Sequence, residues 1–144
     1  MMISTRGRYA LRVMIELAGS PAEEYVPLKV IAEKQEISEK YQEIIIKHLV
    51  KADYVEGVRG KGGGYRLSRP VSEYTAGKIL KAAEETLAPV ACLAGSEKVC
   101  EKAEKCATLP MWMDFYKMVE DFFENVTLES LVQQAERLKE DDIS

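Results

Sequence analysis

A run of five residues, Gly60-Lys61-Gly62-Gly63-Gly64, constrains this chain more than any other segment. Four glycines in five positions do not suit a helix interior and mark a turn. On either side lie Tyr54-Val55-Glu56-Gly57-Val58-Arg59 and Tyr65-Arg66-Leu67-Ser68, which read as short strands. Together they predict a β-hairpin with a long glycine-rich tip, closed by Arg69-Pro70. The run does not read as a nucleotide loop. Gly57 and Gly62 have the P-loop spacing but no Lys-Ser/Thr pair follows, and Gly60-x-Gly62 lacks the third glycine of a dinucleotide fingerprint.

The segments before the hairpin have a helical period. Ala10, Val13, Met14, Leu17 and Ala18 define a first helix, with Ser4 or Thr5 as its N-cap and Gly19-Ser20-Pro21 as its end. Leu28, Ile31 and Ala32 mark a short second helix that tolerates Pro27 at its start. After the tight connection Gln35-Glu36-Ile37, Ser38 caps a third helix, with Glu39 in its positive first turn. Tyr41, Ile45 and Leu49 form the apolar stripe of that helix, widened by Ile44 and Ile46; Lys40, Glu43 and Lys47 lie off it.

Two short helices joined tightly and followed by a cationic hairpin describe a winged helix-turn-helix. A helix of this kind fits the major groove, where base edges present distinct donors and acceptors. Ser38, Lys40, Tyr41, Gln42, Glu43 and Lys47 are therefore the expected DNA-facing residues of the third helix, joined by Arg59, Gly60 and Lys61 of the wing. Glu43 can accept a hydrogen bond from cytosine N4 and repels phosphate elsewhere. Arg59 and Lys61 suit a narrow minor groove. Helix-turn-helix spacing alone is common in proteins that bind no DNA, and a glycine cluster alone is a plain turn; the combination is what carries the reading.

Charge supports it only locally. The net charge of the 144 residues is −4, which as a total does not suit nucleic acid. Residues 1–70 carry 12 Lys and Arg against 9 Asp and Glu, whereas residues 71–144 carry 8 against 15. The split is that of a basic module joined to an acidic partner region. No apolar run approaches the ~20 residues of a membrane span, and the N-terminus lacks the apolar stretch of a secretory signal. A cytoplasmic location and no membrane partner are expected. A single histidine, with neither a Ser/His/Asp set nor a nucleotide loop, argues against an enzyme and a small-molecule substrate.

Downstream, Thr75 caps a short helix containing Ile79, Leu80 and Ala83. Residues 87–108 show no period and read as a loop holding Cys92, Cys100 and Cys106. Trp112, Phe115, Val119, Phe122 and Val126 then recur at helical spacing, broadened by Met111, Met118 and Phe123. A face this apolar is expected to pack on another chain. After Asn125-Val126-Thr127, Leu128, Leu131, Val132, Ala135 and Leu138 form a last amphipathic helix, and Lys139 onward reads as a polar tail. The expected fold class is mainly α with a small β-hairpin wing. The expected divisions are a winged domain over 1–86, a cysteine loop over 87–109, and a dimerisation helix with a C-terminal helix over 110–140.

The cysteines follow Cys92-x7-Cys100-x5-Cys106. An odd count in a reducing compartment disfavours a disulfide framework. Thiolates are soft ligands that favour iron–sulfur clusters, zinc or Cu(I). The paired knuckles of structural zinc sites are missing, which suits a cluster better. Lys98, Lys102 and Lys105 would lower the thiol pKa values, though Glu97, Glu101 and Glu104 alternate with them. A zinc-stabilised interaction module, a metal-free thiol switch and a small electron carrier are the competing readings. The carrier would need neither wing nor helix-turn-helix.

The chain resembles the winged-helix transcription regulators that include IscR, NsrR and CymR. The matching segments are Ser4-Thr5-Arg6-Gly7-Arg8-Tyr9-Ala10, Val26-Pro27-Leu28, Ile37-Ser38-x-x-Tyr41-x-Glu43, Val58-Arg59-Gly60-x-Gly62-Gly63-Gly64-Tyr65, the three cysteines and Val126-Thr127-Leu128. The resemblance covers nearly the whole chain, and the cysteines place it nearest the cluster-binding branch. It implies a homodimer paired through the long helix after the cysteine loop, reading a pseudo-palindromic duplex operator, with Thr5 and Arg6 added to the DNA-facing set. It also implies a [2Fe–2S] cluster on Cys92, Cys100 and Cys106, and a regulon of cluster assembly or of iron and sulfur metabolism; a redox-, nitric oxide- or cysteine-responsive regulator of the same fold is the alternative. One position departs from the IscR pattern. The histidine ligand expected three residues after the last cysteine is Leu109 here. The fourth ligand is left to Glu43, His48, water or a residue of the partner chain. Arg8 stands in the region from which NsrR relatives supply a carboxylate.

Overall fold

The computed structural model describes residues 3–84, 86–94 and 103–143. Helix α1 spans Thr5–Ala18, α2 Leu28–Gln35 and α3 Glu39–Lys51. The strands β1, Val55–Val58, and β2, Gly64–Leu67, pair antiparallel with Val55 opposite Leu67 and Val58 opposite Gly64. Helices α4, Ala76–Ala83, α5, Leu109–Glu124, and α6, Leu128–Ile143, complete the described chain. The mainly helical fold with a two-stranded wing is as the sequence predicts.

The caps explain where the helices start. Ser4, not Thr5, caps α1, its Oγ accepting from the Gly7 N–H at 3.2 Å. Ser38 and Thr75 cap α3 and α4 in the same way, accepting from Tyr41 and Lys78 N–H groups. Glu84, just beyond α4, accepts from both the backbone N–H and the hydroxyl of Ser4, at 2.9 and 2.6 Å. It ties the end of α4 to the start of α1.

The core gathers one face from each helix of the winged region. Met14, Ile31, Ile45, Leu49, Ile79 and Tyr74 are fully buried in it, and each large aliphatic side chain contributes on the order of 1.5–3 kcal/mol. On α3 the buried set is Gln42, Ile45, Ile46 and Leu49, the i, i+3, i+4, i+7 face. Ile44, predicted to widen the stripe, is instead 44% exposed because it points off that face.

The C-terminal part differs from the sequence reading in three places. Val126 lies beyond α5, in the connection whose carbonyl accepts from the Ala76 N–H at 2.8 Å. The residues from Lys139 continue α6 to Ile143 rather than forming a tail, since nothing from Lys139 to Ile143 breaks a helix. Leu128, at the start of α6, is fully buried in the winged-region core, and α6 packs along α1. Within 87–108, the described parts hold only the short 3₁₀ turns Ala91–Leu93 and Ala103–Lys105.

Candidate nucleic-acid interface and cysteine segment

Helix α3 and the wing stand side by side and enclose a groove of about 710 Å³. Glu43, Lys47, Val50 and Lys51 line it from α3; Val58, Arg59, Gly60 and Tyr65 line it from the hairpin. Three cations thus face a space bounded by the helix and the wing. Lys51 was not singled out from sequence, although Glu43, Lys47 and Lys51 recur every four residues and so share a helix face.

The wing is braced at its base. Val26 and Tyr65 exchange backbone hydrogen bonds, both 2.8 Å, which adds a one-residue third rung to the sheet. The Arg66 guanidinium bonds Glu56 at 2.6 Å, reaches the Glu23 carbonyl at 3.3 Å and stacks 4.4 Å over the Tyr25 ring. That hydrogen bond to Glu56 raises the Arg66 pKa. Tyr74 donates to the Tyr54 carbonyl at 2.7 Å and accepts from the Arg69 N–H at 3.1 Å; burial raises its pKa. These anchors hold the strands and leave the tip free. Gly60 and Gly62 have φ of 96° and 79°, the left-handed conformation that glycine adopts without strain. Arg59 and Lys61 are exposed and have no ion-pair partner among the described residues.

The predicted DNA-facing residues separate into two groups. Ser38, Lys40, Glu43 and Lys47 on α3 are exposed, as are Arg59, Gly60 and Lys61 on the wing. Glu43 and Lys47 lie 3.9 Å apart as an i, i+4 pair, an exposed contact worth a few tenths of a kcal/mol and easily exchanged for phosphate. Tyr41 is half-buried, edge-on to Tyr9 with centroids 5.9 Å apart. Thr5 is exposed at the first turn of α1, where Arg8 donates to its hydroxyl at 3.2 Å. Arg6 is half-buried, its Nε buried with no hydrogen-bond partner among the described residues. Gln42 is corrected: it is wholly buried, so it faces the core and not a groove.

Of the cysteines, Cys92 is exposed in the Ala91–Leu93 turn, and Cys106 is half-buried ahead of α5. Cys100 lies outside the described residues. The Cys106 sulfur is 3.5 Å from the Thr108 hydroxyl. Its pKa is lowered, first by the hydrogen bond from that hydroxyl and then by the backbone N–H groups of Thr108 and Leu109. The thiolate is the ligating form, so this donor chemistry fits a thiolate-bound metal. Among the described residues no three His, Cys, Asp or Glu side chains converge as a metal cradle. His48 sits half-buried in the last turn of α3, and Leu109 opens α5. No helix among the described residues is long and apolar enough to cross a membrane.

Residues 3–134 match the Rrf2 family model, whose description is iron-dependent transcriptional regulator. The chain is 36% identical over 138 residues to the HTH-type transcriptional regulator IscR of Pectobacterium carotovorum subsp. carotovorum, covering 96% of this chain and 83% of that protein. It is 34% identical over 142 residues to IscR of Vibrio campbellii, covering 99% and 83%. Among solved structures it is similar to CymR, the global cysteine regulator of B. subtilis, with a TM-score of 0.73 and 34% identity over 93% of this chain and 98% of that one. T. potens IscR gives 0.73 and 33%, over 96% and 90%. These relatives are transcriptional regulators, not enzymes. A match that begins ahead of α1 and ends within α6 takes in the helix pair, the wing and the long helix together, and on that ground the chain belongs to the Rrf2 family of winged-helix transcriptional regulators.

Proposed function

We propose that the chain acts as a homodimer that reads a pseudo-palindromic duplex operator and reports iron–sulfur status through a [2Fe–2S] cluster on Cys92, Cys100 and Cys106. The observation that carries the DNA part is the groove in which Glu43, Lys47 and Lys51 of α3 face Arg59 of the wing, with Ser38 and Lys40 exposed ahead of it at the N-terminal end of the helix. Across the helix and the wing, Ser38, Lys40 and Glu43 address base edges and Lys47, Arg59 and Lys61 address phosphate and the minor groove. Gly60 shapes the tip, Tyr41 sits on the helix, and Thr5 and Arg6 lie at the start of α1. The winged region over 1–86 is the reader, 87–109 the sensor, and 110–140 holds the dimerisation helix and the C-terminal helix.

The cluster, when bound, supplies a redox- and iron-responsive link among the three thiolates. The chain's own contribution is placement. Cys92 follows the last residue of α4, Ala83, by nine residues and Cys106 precedes α5 by three, so the sensor segment joins the element that packs on α3 to the helix with the exposed apolar face. Regulators of iron–sulfur assembly or of iron and sulfur metabolism are the matching class, in keeping with the relatives named IscR.

The test is anaerobic purification with an absorption spectrum and an iron and sulfide count, followed by footprinting with loaded and cluster-free protein. Bound iron and sulfide with altered protection between the two forms is the expected result. Equal protection by both forms overturns the sensing role; a colourless monomer with no duplex preference overturns the whole reading. The Thr108 hydroxyl beside Cys106, which favours the thiolate, suits equally a second reading, a thiol switch without metal. Metal-free protein whose operator affinity changes on mild oxidation and returns on reduction would select it.

A further inference from the structure

Helix α4 packs on both α3 and α5. Its junction with α5 is unusually specific. The Thr75 hydroxyl, which caps α4, also donates to Glu124 Oε2 at 3.2 Å. Lys81, in the last turn of α4, reaches Glu124 Oε1 at 3.4 Å and Glu120 Oε2 at 3.0 Å. Between them Gly77 brings the backbones together: a Cβ there would stand 2.5 Å from Glu124 Oε1 and 3.2 Å from the Glu124 backbone nitrogen. Beyond Glu124 the connection is stitched to the start of α4 by Ala76 N–H to the Val126 carbonyl, 2.8 Å, and Leu128 N–H to the Tyr74 carbonyl, 3.1 Å.

We infer that the clamp of Thr75, Gly77, Lys81, Glu120 and Glu124 sets the angle of α5 to the winged region, and so fixes the spacing of operator half-sites the dimer accepts. The inference rests on the dimeric, operator-reading function proposed above. Its physical basis is leverage. The 16 residues of α5 make an arm of about 24 Å, so a small rotation at Glu124 becomes a displacement of several ångströms at the far end. One added base pair moves a half-site by about 3.4 Å and turns it by roughly 35°. The clamp residues touch neither DNA-facing group, so they are positioning residues.

The test uses the full-length protein and a duplex selected by it from a random-sequence pool, with one or two base pairs then inserted or deleted between the half-sites. Glu124→Ala removes the contacts to Thr75 and Lys81 at a partly exposed position, where the fold is retained and the Lys81–Glu120 pair persists. Gly77→Ala puts a methyl group where it displaces the Glu124 carboxylate from the clamp and presses on the Glu124 backbone nitrogen, and Glu124→Gln keeps an acceptor for Thr75. Expected for Glu124→Ala and Gly77→Ala is an unchanged dimer and thermal midpoint within a few degrees, while the wild-type preference for one spacing falls by roughly fivefold or more. Glu124→Gln should retain the preference. A wild-type spacing preference surviving in both alanine variants overturns the inference alone. A wild-type protein that binds single half-sites as tightly as paired ones overturns the dimeric reading, and this inference with it.

Discussion

Gln42 shows how one side chain changes its meaning with its surroundings. In the first turns of α3 it has the chemistry of an adenine reader, yet its amide nitrogen and oxygen are both buried with no hydrogen-bond partner among the described residues. An orphaned buried amide costs about 1–3 kcal/mol. Gln42→Leu should therefore raise stability by about that amount in urea titration, with operator affinity unchanged. A clear loss of affinity in Gln42→Leu would return the residue to the interface. The spacing was there to be read, because Gln42 stands three, four and seven residues before Ile45, Ile46 and Leu49; residue type misled where position did not. Cys106 is the second case. Its depressed pKa originates chiefly in the Thr108 hydroxyl, so thiolate persists to a pH below the ordinary thiol range. Removing that donor reverses the sign: in Thr108→Ala the midpoint of the pH profile for Cys106 alkylation should move up, and alkylation at neutral pH should slow. An unmoved midpoint would assign the shift to the backbone N–H groups instead.

At the level of elements, the wing separates a rigid base from a free tip. Tyr25, Glu56, Tyr65 and Tyr74 hold the base, and Arg59 sits on the tip without an ion pair among the described residues. Loss of Arg59 should then touch binding and not folding. Arg59→Ala should lower duplex affinity, reduce the slope of log affinity against log salt by about 1, and leave the thermal midpoint unchanged. The hairpin itself was legible because glycine runs and strand formers are local signals. So were the caps at Ser38 and Thr75, each a short-range competition for orphan N–H groups, while at α1 the sequence offered Ser4 or Thr5 and the structure uses Ser4. The braces were not legible: Arg66 on Tyr25 and Val26 on Tyr65 join residues about forty apart in sequence, and no periodicity encodes a partner at that distance.

For the molecule as a whole, α5 and α6 have opposite fates despite similar amphipathic patterns. Along α5, Met111, Met113, Phe115, Met118 and Phe122 remain exposed, with Met118 at 71%. If that face pairs two chains, Phe122→Asp should yield monomers in sedimentation velocity and weaken operator binding by at least tenfold, since only one half-site is then held. A dimer that persists would place the interface elsewhere. Helix α6 instead returns to the winged region, with Leu128 fully buried. Leu128→Ala should cost about 2–5 kcal/mol, whereas Leu138→Ala, at an exposed position, should cost little. Chemical denaturation of the two variants checks the contrast.

Most local order was settled by sequence alone: the six helices apart from the ends of α5 and α6, the hairpin, the caps at Ser38 and Thr75, the cationic tip and the cysteine spacing follow from periods, breakers and charges within a few residues. Tertiary structure decided which face each helix buries, that α6 completes the core beside α1, and that α4 meets α5 at Gly77. Those are outcomes of packing between segments distant in the chain, where the winning arrangement depends on the shape of every partner at once.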